Sequence, residues 1–173
     1  MTTFTVRRLQ TVSESEIEGL ADVLMDVVDG GASVSFMHPF TRAKAIAFWR
    51  GVANGVEAGE RALVVAEDEH GICGTAQLIL ALPENQPHRA DLAKMLVHRR
   101  ARRRGIGAAV LSAAEELACE LGKTLLVLDT ASRDAERLYE RGGWIKVGVI
   151  PDYALMPDGA FCDTIVYYRR LQC

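Results

Sequence analysis

RADLAKMLVHRRARRRGIGAAVLSAAEELACELG, residues 89–122, carries an apolar run, five arginines within six residues, two glycines and an amphipathic stripe, in that order. ADLAKMLVH (90–98) reads as a strand. Ile106, Val110, Leu111, Ala114, Leu117, Ala118 and Leu121 recur at helical spacing from Arg104 to Leu121, and Gly122 closes that helix. RRARRRGIGA therefore sits where a strand hands over to a helix. The first N–H groups of a helix lack intrahelical partners and carry the positive end of its dipole. Glycines there let an anion approach the backbone, and arginines add bidentate donors. The segment reads as an anion cradle, the plainer alternative being a solvated arginine turn. Two other phosphate loops are excluded. Ala108-Ala109 follow Gly107 where a Walker-type loop needs Lys-Ser/Thr, and Gly105-x-Gly107 lacks the third glycine of a dinucleotide fingerprint.

Working outward, Thr3–Leu9 alternates as a strand. Ser13 and Glu16 have capping-box spacing ahead of Ile17, Leu20, Leu24, Val27 and Val28, a helix stopped by Gly30-Gly31. ASVSFMHPF (32–40) is irregular, and Thr41 caps a second helix that ends near Gly55 to Gly59. RALVVAED and ICGTAQLILAL flank EHG as a β-hairpin. Downstream, TLLVLD (124–129) is a buried-type strand, Ser132 to Arg141 a helix broken by Gly142-Gly143, and WIKVGVI (144–150) a strand. PDYALMPDG reads as a turn-rich loop and DTIVYYRRL as the last strand. The order predicts one α+β domain over residues 1–173 with a mixed sheet.

The composition excludes other classes. The chain has 173 residues, 49% hydrophobic and 25% charged, which is ordinary globular usage. No apolar run reaches the ~18 residues of a membrane helix, and MTTFTVRRLQ lacks a signal-peptide core, so a cytoplasmic protein is expected, with no membrane partner. The five clustered arginines leave −8 on the rest of a chain whose net charge is −3. That concentration suits a compact anion better than a nucleic acid, which favours charge spread along a face. Cys73, Cys119, Cys162 and Cys173 are scattered and suggest no disulfide framework. Neither they nor the four histidines have metal-ligand spacing, so no metal is expected.

Arg102-Arg103-Arg104-Gly105-Ile106-Gly107 resembles the Q/R-x-x-G-x-G/A motif of the GNAT superfamily of N-acetyltransferases. Ala135-x-x-Leu138-Tyr139-x-x-x-Gly143-Trp144 is similar to that family's A-x-x-L-Y-x-x-x-G-F segment. The two motifs span residues 88 to 150, and the order of elements suits the family fold throughout: a mixed, mostly antiparallel sheet of about seven strands with four helices. GGASVSFM (30–37), RADLAKMLV (89–97), LDT (128–130) and PDYALMPDG (151–159) are further similar to segments of the tabtoxin-resistance acetyltransferases. Departures are Ser132, where the superfamily often has Asn, and a stretch from Asp129 to Tyr139 one residue shorter than in the resistance proteins.

The resemblance implies acetyl-CoA as co-substrate, held by backbone groups of Met95, Leu96 and Val97 and by the Arg102, Arg103, Arg104, Gly105, Ile106, Gly107 and Ala108 cradle. Ser132 and Ala135 are further candidate contacts, and the Leu96 N–H would polarise the thioester carbonyl. Met95 to Val97 also read as an ordinary buried strand. An amine acceptor must lose a proton, and the departing thiolate must gain one. Asp91 and Asp129 are the candidate bases, each readable instead as a strand edge or a loop starter. Tyr139 is the candidate acid, otherwise a packed core residue. Ser33, Ser35, Phe36, Met37 and Tyr153 are expected to line the acceptor pocket, with Asp158 beside them. The resulting expectation is acetylation of a primary amine on a small amino-acid-like molecule, an antibiotic or a toxin. The alternatives are acetylation of protein N-termini or lysines and a non-catalytic acyl-CoA sensor. Family members often form homodimers, but nothing in the sequence fixes a dimer face.

Overall fold

In the computed structural model, which describes residues 3–173, Ser13 and Glu16 make the expected reciprocal cap. The strand β1 (Thr5–Leu9) leads through it into α1 (Glu14–Asp29), and Thr41 caps α2 (Arg42–Glu57) by accepting from the Lys44 N–H. β2 (Arg61–Asp68) and β3 (Gly71–Ile79) form the hairpin, followed by β4 (Arg89–Val97) and a 3-10 turn at Arg99–Ala101. Then come α3 (Ile106–Glu120), β5 (Leu125–Thr130), α4 (Arg133–Arg141), β6 (Ile145–Leu155) and β7 (Phe161–Arg170). The seven strands lie in the order β1-β2-β3-β4-β5-β7-β6, antiparallel everywhere except between β4 and β5. This is the expected mixed, mostly antiparallel α+β sheet with four helices.

Alternating strand residues feed two cores. Ala62, Val64 and Ala66 of β2 pack with Leu92 of β4 and the Ile106–Val110–Ala114 stripe of α3. Leu63 and Val65 pack with Leu20, Leu24 and Trp49 of α1 and α2 on the other face. The helix α3 lies close enough that a Cβ on Gly74 would fall 2.8 Å from the Ile106 side chain.

Three details differ from the sequence expectation. First, α3 starts at Ile106, not Arg104, because Gly105 sits at φ 80 as its N-cap, outside helical geometry. Second, the segment expected as a loop from Pro151 belongs to β6 as far as Leu155. The ladder with β7 shifts register between Ile150 and Ala154, and Asp152 (φ 52) donates its N–H to the Asp163 carboxylate at 3.0 Å. An edge strand tolerates a proline at such a bulge. Third, Cys119 and Cys173 form a disulfide, their Cα atoms 5.4 Å apart. The β5–β7 ladder carries the chain end beside the end of α3, a closeness that spacing along the sequence does not encode.

Candidate active site

β4 and β5 are ladder partners for three pairs only, Arg89 with Leu125, Ala90 with Leu126 and Asp91 with Val127. Beyond these, β5 stays with β7 to Thr130 while β4 stays with β3 to Val97. The two strands therefore part, and a notch opens between them. The His98 N–H donates to the Cys73 carbonyl at 2.9 Å. Donors alternate in direction along a regular antiparallel strand, so the Leu96 N–H turns toward β3 and that of Val97 turns into the notch, while a bulge at Lys94–Met95 interrupts the alternation ahead of them. The Val97 carbonyl on the open side accepts from Arg102 Nε at 3.4 Å.

Next to the notch, the turn before α3 has left-handed backbone at Arg103 (φ 60) and Gly105 (φ 80). Gly105 supplies no side-chain cap, and its carbonyl takes the Ala109 N–H. The N–H groups of Ile106, Gly107 and Ala108 are thus the orphan donors of the helix start. A Cβ on Gly107 would lie 3.4 Å from Leu138 and 3.8 Å from both Met95 and Val97. Gly107 thus sits against side chains of α4 and of the β4 segment that borders the notch.

The five arginines divide by task. Arg100 and Arg104 reach the fully buried Asp68 carboxylate at 2.8 and 2.7 Å. Burial alone would raise the Asp68 pKa, but hydrogen bonds from Arg100 and Arg104 and from the His70 N–H hold the carboxyl far below its usual range. Arg99 pairs with Asp26 through Nε at 2.9 Å and through its backbone N–H at 2.7 Å. Three arginines therefore pin the turn to the body of the protein, while Arg102 and Arg103 are exposed at its tip.

On the far side of the strands, a cavity of about 340 Å³ is lined by all five expected pocket residues, Ser33, Ser35, Phe36, Met37 and Tyr153, and by Asp129. Phe36 is held by rings at 4.6 Å (Phe40) and 5.3 Å (Phe48), and Ser33 Oγ donates to the Leu155 carbonyl at 3.0 Å. Asp129 accepts from Thr164 Oγ1 at 2.7 Å. Tyr139 is 4% exposed against Trp144 and Tyr167, and burial together with the Asp129 charge raises its pKa well above the usual phenol value. Asp91 is engaged differently: its carboxylate is ion-paired with Arg89, and it does not line the cavity. Ser132 caps α4 by accepting from the Ala135 N–H at 3.3 Å, and Ala135 packs against the α3-side core. A larger open cavity of about 510 Å³ near Arg7, Glu16, Asp22 and Arg42 lies away from the notch and is ringed by ion-paired side chains.

Two residues of this region escaped the sequence reading. Lys94 was legible in principle, as the one charged residue in an otherwise apolar run from Leu92 to Val97. Asp68, an acidic residue ending a hairpin strand, carried no signal of its partnership with arginines more than thirty residues away.

Residues 59–146 match the protein-family description "Acetyltransferase (GNAT) domain". An N-acetyltransferase of the hisH-hisA intergenic region of Azospirillum brasilense is 32% identical over 139 residues, which cover 79% of this chain and 80% of that one. The chain belongs to the GNAT acetyltransferases. This GNAT protein is an acetyl-CoA-dependent N-acetyltransferase, and its notch and cradle suit that donor: an open strip of backbone donors for an extended amide chain, joined to orphan helix N–H groups for a pyrophosphate. Solved structures share the GNAT fold at low identity. A phosphinothricin acetyltransferase from Sinorhizobium meliloti in complex with acetyl-CoA has TM-score 0.79 and 20% identity, covering 98% of this chain and 89% of that one. A ribosomal-protein-alanine N-acetyltransferase from Brucella melitensis has TM-score 0.78 and 21% identity, covering 96% and 99%. An N-acetyltransferase from Staphylococcus aureus Mu50 has TM-score 0.81 and 16% identity, covering 99% and 100%. No helix among the described residues is long and apolar enough to cross a membrane, and no group of metal-ligating side chains forms among them.

Proposed function

We propose that this enzyme moves the acetyl group of acetyl-CoA directly to the primary amine of a small, amino-acid-like molecule, in a role such as self-protection against an antibiotic or toxin. The observation that carries the reading is the Asp129 carboxylate near the end of β5, which lines the small cavity and whose charge reaches the buried Tyr139 phenol. Acetyl-CoA supplies the activated thioester. The backbone of Met95 to Val97, with the Val97 N–H turned into the notch, offers the donors for its carbonyl and amide chain, Gly105 to Ala108 with Arg102 and Arg103 hold its pyrophosphate, and Ala135 borders that path. Asp129 accepts the proton of the attacking amine, while Tyr139 donates to the departing sulfur.

The two proton movements are coupled by charge. Burial and, after it, the negative charge of Asp129 hold the Tyr139 phenol protonated. Once Asp129 has taken a proton the electrostatic part of that restraint is relieved, and the phenol becomes a better acid as the thiolate forms. Asp129 is favoured over Asp91 because the Asp91 carboxylate is already engaged by Arg89.

The test is thiol release from acetyl-CoA over amino acids, a β-lactam amino-acid toxin, polyamines, aminoglycosides and lysine peptides, with wild type and Tyr139→Phe. Release with small amino-acid-like amines that drops ~10²–10⁴-fold in the variant is the expected result. Activity confined to peptides would replace the small acceptor with a protein. Tight acetyl-CoA binding without release for any amine would point to a sensor.

A further inference from the structure

Lys94 stands on β4 at a bulge. Thr75 of β3 pairs with Leu96 and Gln77 pairs with Ala93, so Lys94 and Met95 together oppose Ala76. Lys94 adopts φ 49, a left-handed conformation that L side chains disfavour, and a bulge of this kind re-aims a side chain. The re-aimed lysine reaches the segment between α1 and α2. Its Nζ donates to Ser35 Oγ at 3.1 Å and lies 5.6 Å from the centre of the Phe48 ring. Ser35, itself at φ 81, lines the same cavity as Asp129.

This is an ammonium in an unusual setting. It is half-buried, and its contacts are a neutral hydroxyl and an aromatic face. Desolvation lowers its pKa, opposed by the charge of Asp129 and assisted by that of Arg61. An ammonium has three donors, so an oxyanion entering beside Ser35 would find a donor and a charge waiting. The cavity thus has the Asp129 carboxylate in its lining and, directly behind the lining residue Ser35, the Lys94 ammonium, the two charges within electrostatic reach of each other and the volume suited to a small molecule. That pattern is complementary to a zwitterion.

We propose that Lys94, with Ser35, anchors a carboxylate of the acceptor, so that the enzyme selects small molecules bearing a carboxylate close to the reacting amine, which then points to Asp129. The inference rests on the cavity being the acceptor site of the activity proposed above, and it names the residue that sets acceptor choice there.

The test uses matched trios: L-alanine, L-alaninamide and ethylamine; L-methionine, L-methioninamide and 3-(methylthio)propylamine; L-phenylalanine, L-phenylalaninamide and phenethylamine. Thiol release is measured for wild type, Lys94→Met, Lys94→Arg and Ser35→Ala. The less basic carboxamides offer more neutral amine at pH 7, so without an anchor they start with the advantage. Wild type is expected to prefer at least one acid over its amide by about tenfold or more in kcat/KM, chiefly through KM. In Lys94→Met that ratio falls toward one or inverts, and Lys94→Arg restores part of it. Acetyl-CoA affinity of each variant reports its folding, and Ser35→Ala carries the test through a smaller fall in the same ratio where Lys94→Met does not fold. Equal use of acids and amides by wild type, or a ratio unmoved in Lys94→Met, overturns the anchor while leaving the acetyltransferase reading intact. Absence of release with every amine, in these trios and in the wider panel, overturns the proposed activity and the anchor with it.

Discussion

Asp129 and Asp91 were equivalent in sequence, acidic residues on successive strands beside the anion turn, and the structure separates them by their partners. The Thr164 hydroxyl orients Asp129 at the cavity, whereas Arg89 holds Asp91 in an ion pair. Asp129→Asn keeps the shape and the acceptor oxygen but removes the charge and the basicity. We expect kcat/KM to fall ~10²–10⁴-fold, the range for a general base, with acetyl-CoA affinity retained. Asp91→Asn is expected to cost no more than a few-fold, because an ion pair this exposed contributes little. Steady-state kinetics on both variants with one common acceptor checks the assignment, and an Asp91→Asn loss equal to that of Asp129→Asn would reverse it. Tyr139 illustrates why residue roles are hard to read from spacing alone. Its place on the buried face of α4 is what an ordinary core tyrosine has, and only the reach of the Asp129 charge to its phenol distinguishes it.

The turn between β4 and α3 is where sequence and structure agree most closely, and where the agreement hides a division of labour. Glycines and arginines after an apolar run were enough to mark the strand-to-helix junction and its glycine N-cap. Which arginines are tied back to the body of the protein was not legible, since Asp68 and Asp26 come from β2 and α1 and capture three of them through tertiary contact. Asp68→Asn leaves Arg100 and Arg104 without their counter-charge. Breaking a buried pair costs ~3–5 kcal/mol, which the partial exposure of both arginines reduces to about 2 kcal/mol. The sign of the pH dependence follows from the lowered Asp68 pKa. Its contribution is fully present above the unfolded carboxylate value of ~3.9 and is lost as pH falls through the lower folded value. Wild-type stability should therefore decline steeply below about pH 4, and the decline should be shallower in Asp68→Asn; urea unfolding at a series of pH values reads both. Gly107→Val addresses the notch itself. Even the first carbon of the new side chain lies against Leu138, Met95 and Val97, and we expect the acetyl-CoA Kd to rise about tenfold, equivalent to ~1.4 kcal/mol. Unchanged affinity in titration calorimetry would place the donor elsewhere.

At the scale of the whole molecule, the order and type of the elements were legible because each is amphipathic with its own period and its own stop signal. The strand β6 was cut short in the sequence reading because Pro151 and Asp152 resemble a turn, although a bulge on an edge strand accommodates both. The Lys94 anchor and the Cys119–Cys173 bond were missed for a common reason: each depends on which distant segment the sheet brings alongside, and periodicity carries no such information. The disulfide has a consequence for the whole chain. It closes a loop of 54 residues and ties the end of β7 to the end of α3, so it restricts the unfolded state more than a local bridge would. Disulfides typically stabilise by ~2–4 kcal/mol, and for a chain this long each kcal/mol moves Tm by roughly 2–4 °C. Oxidised protein should therefore melt several degrees higher than protein kept in a thiol reductant, and Cys119→Ser should match the reduced protein with or without reductant. Since neither cysteine touches the notch or the cavity, kcat at temperatures well below either melting point should be the same in both forms. A Tm indifferent to reductant, together with two titratable thiols at these positions, would show that the chain end is held by the β5–β7 ladder alone.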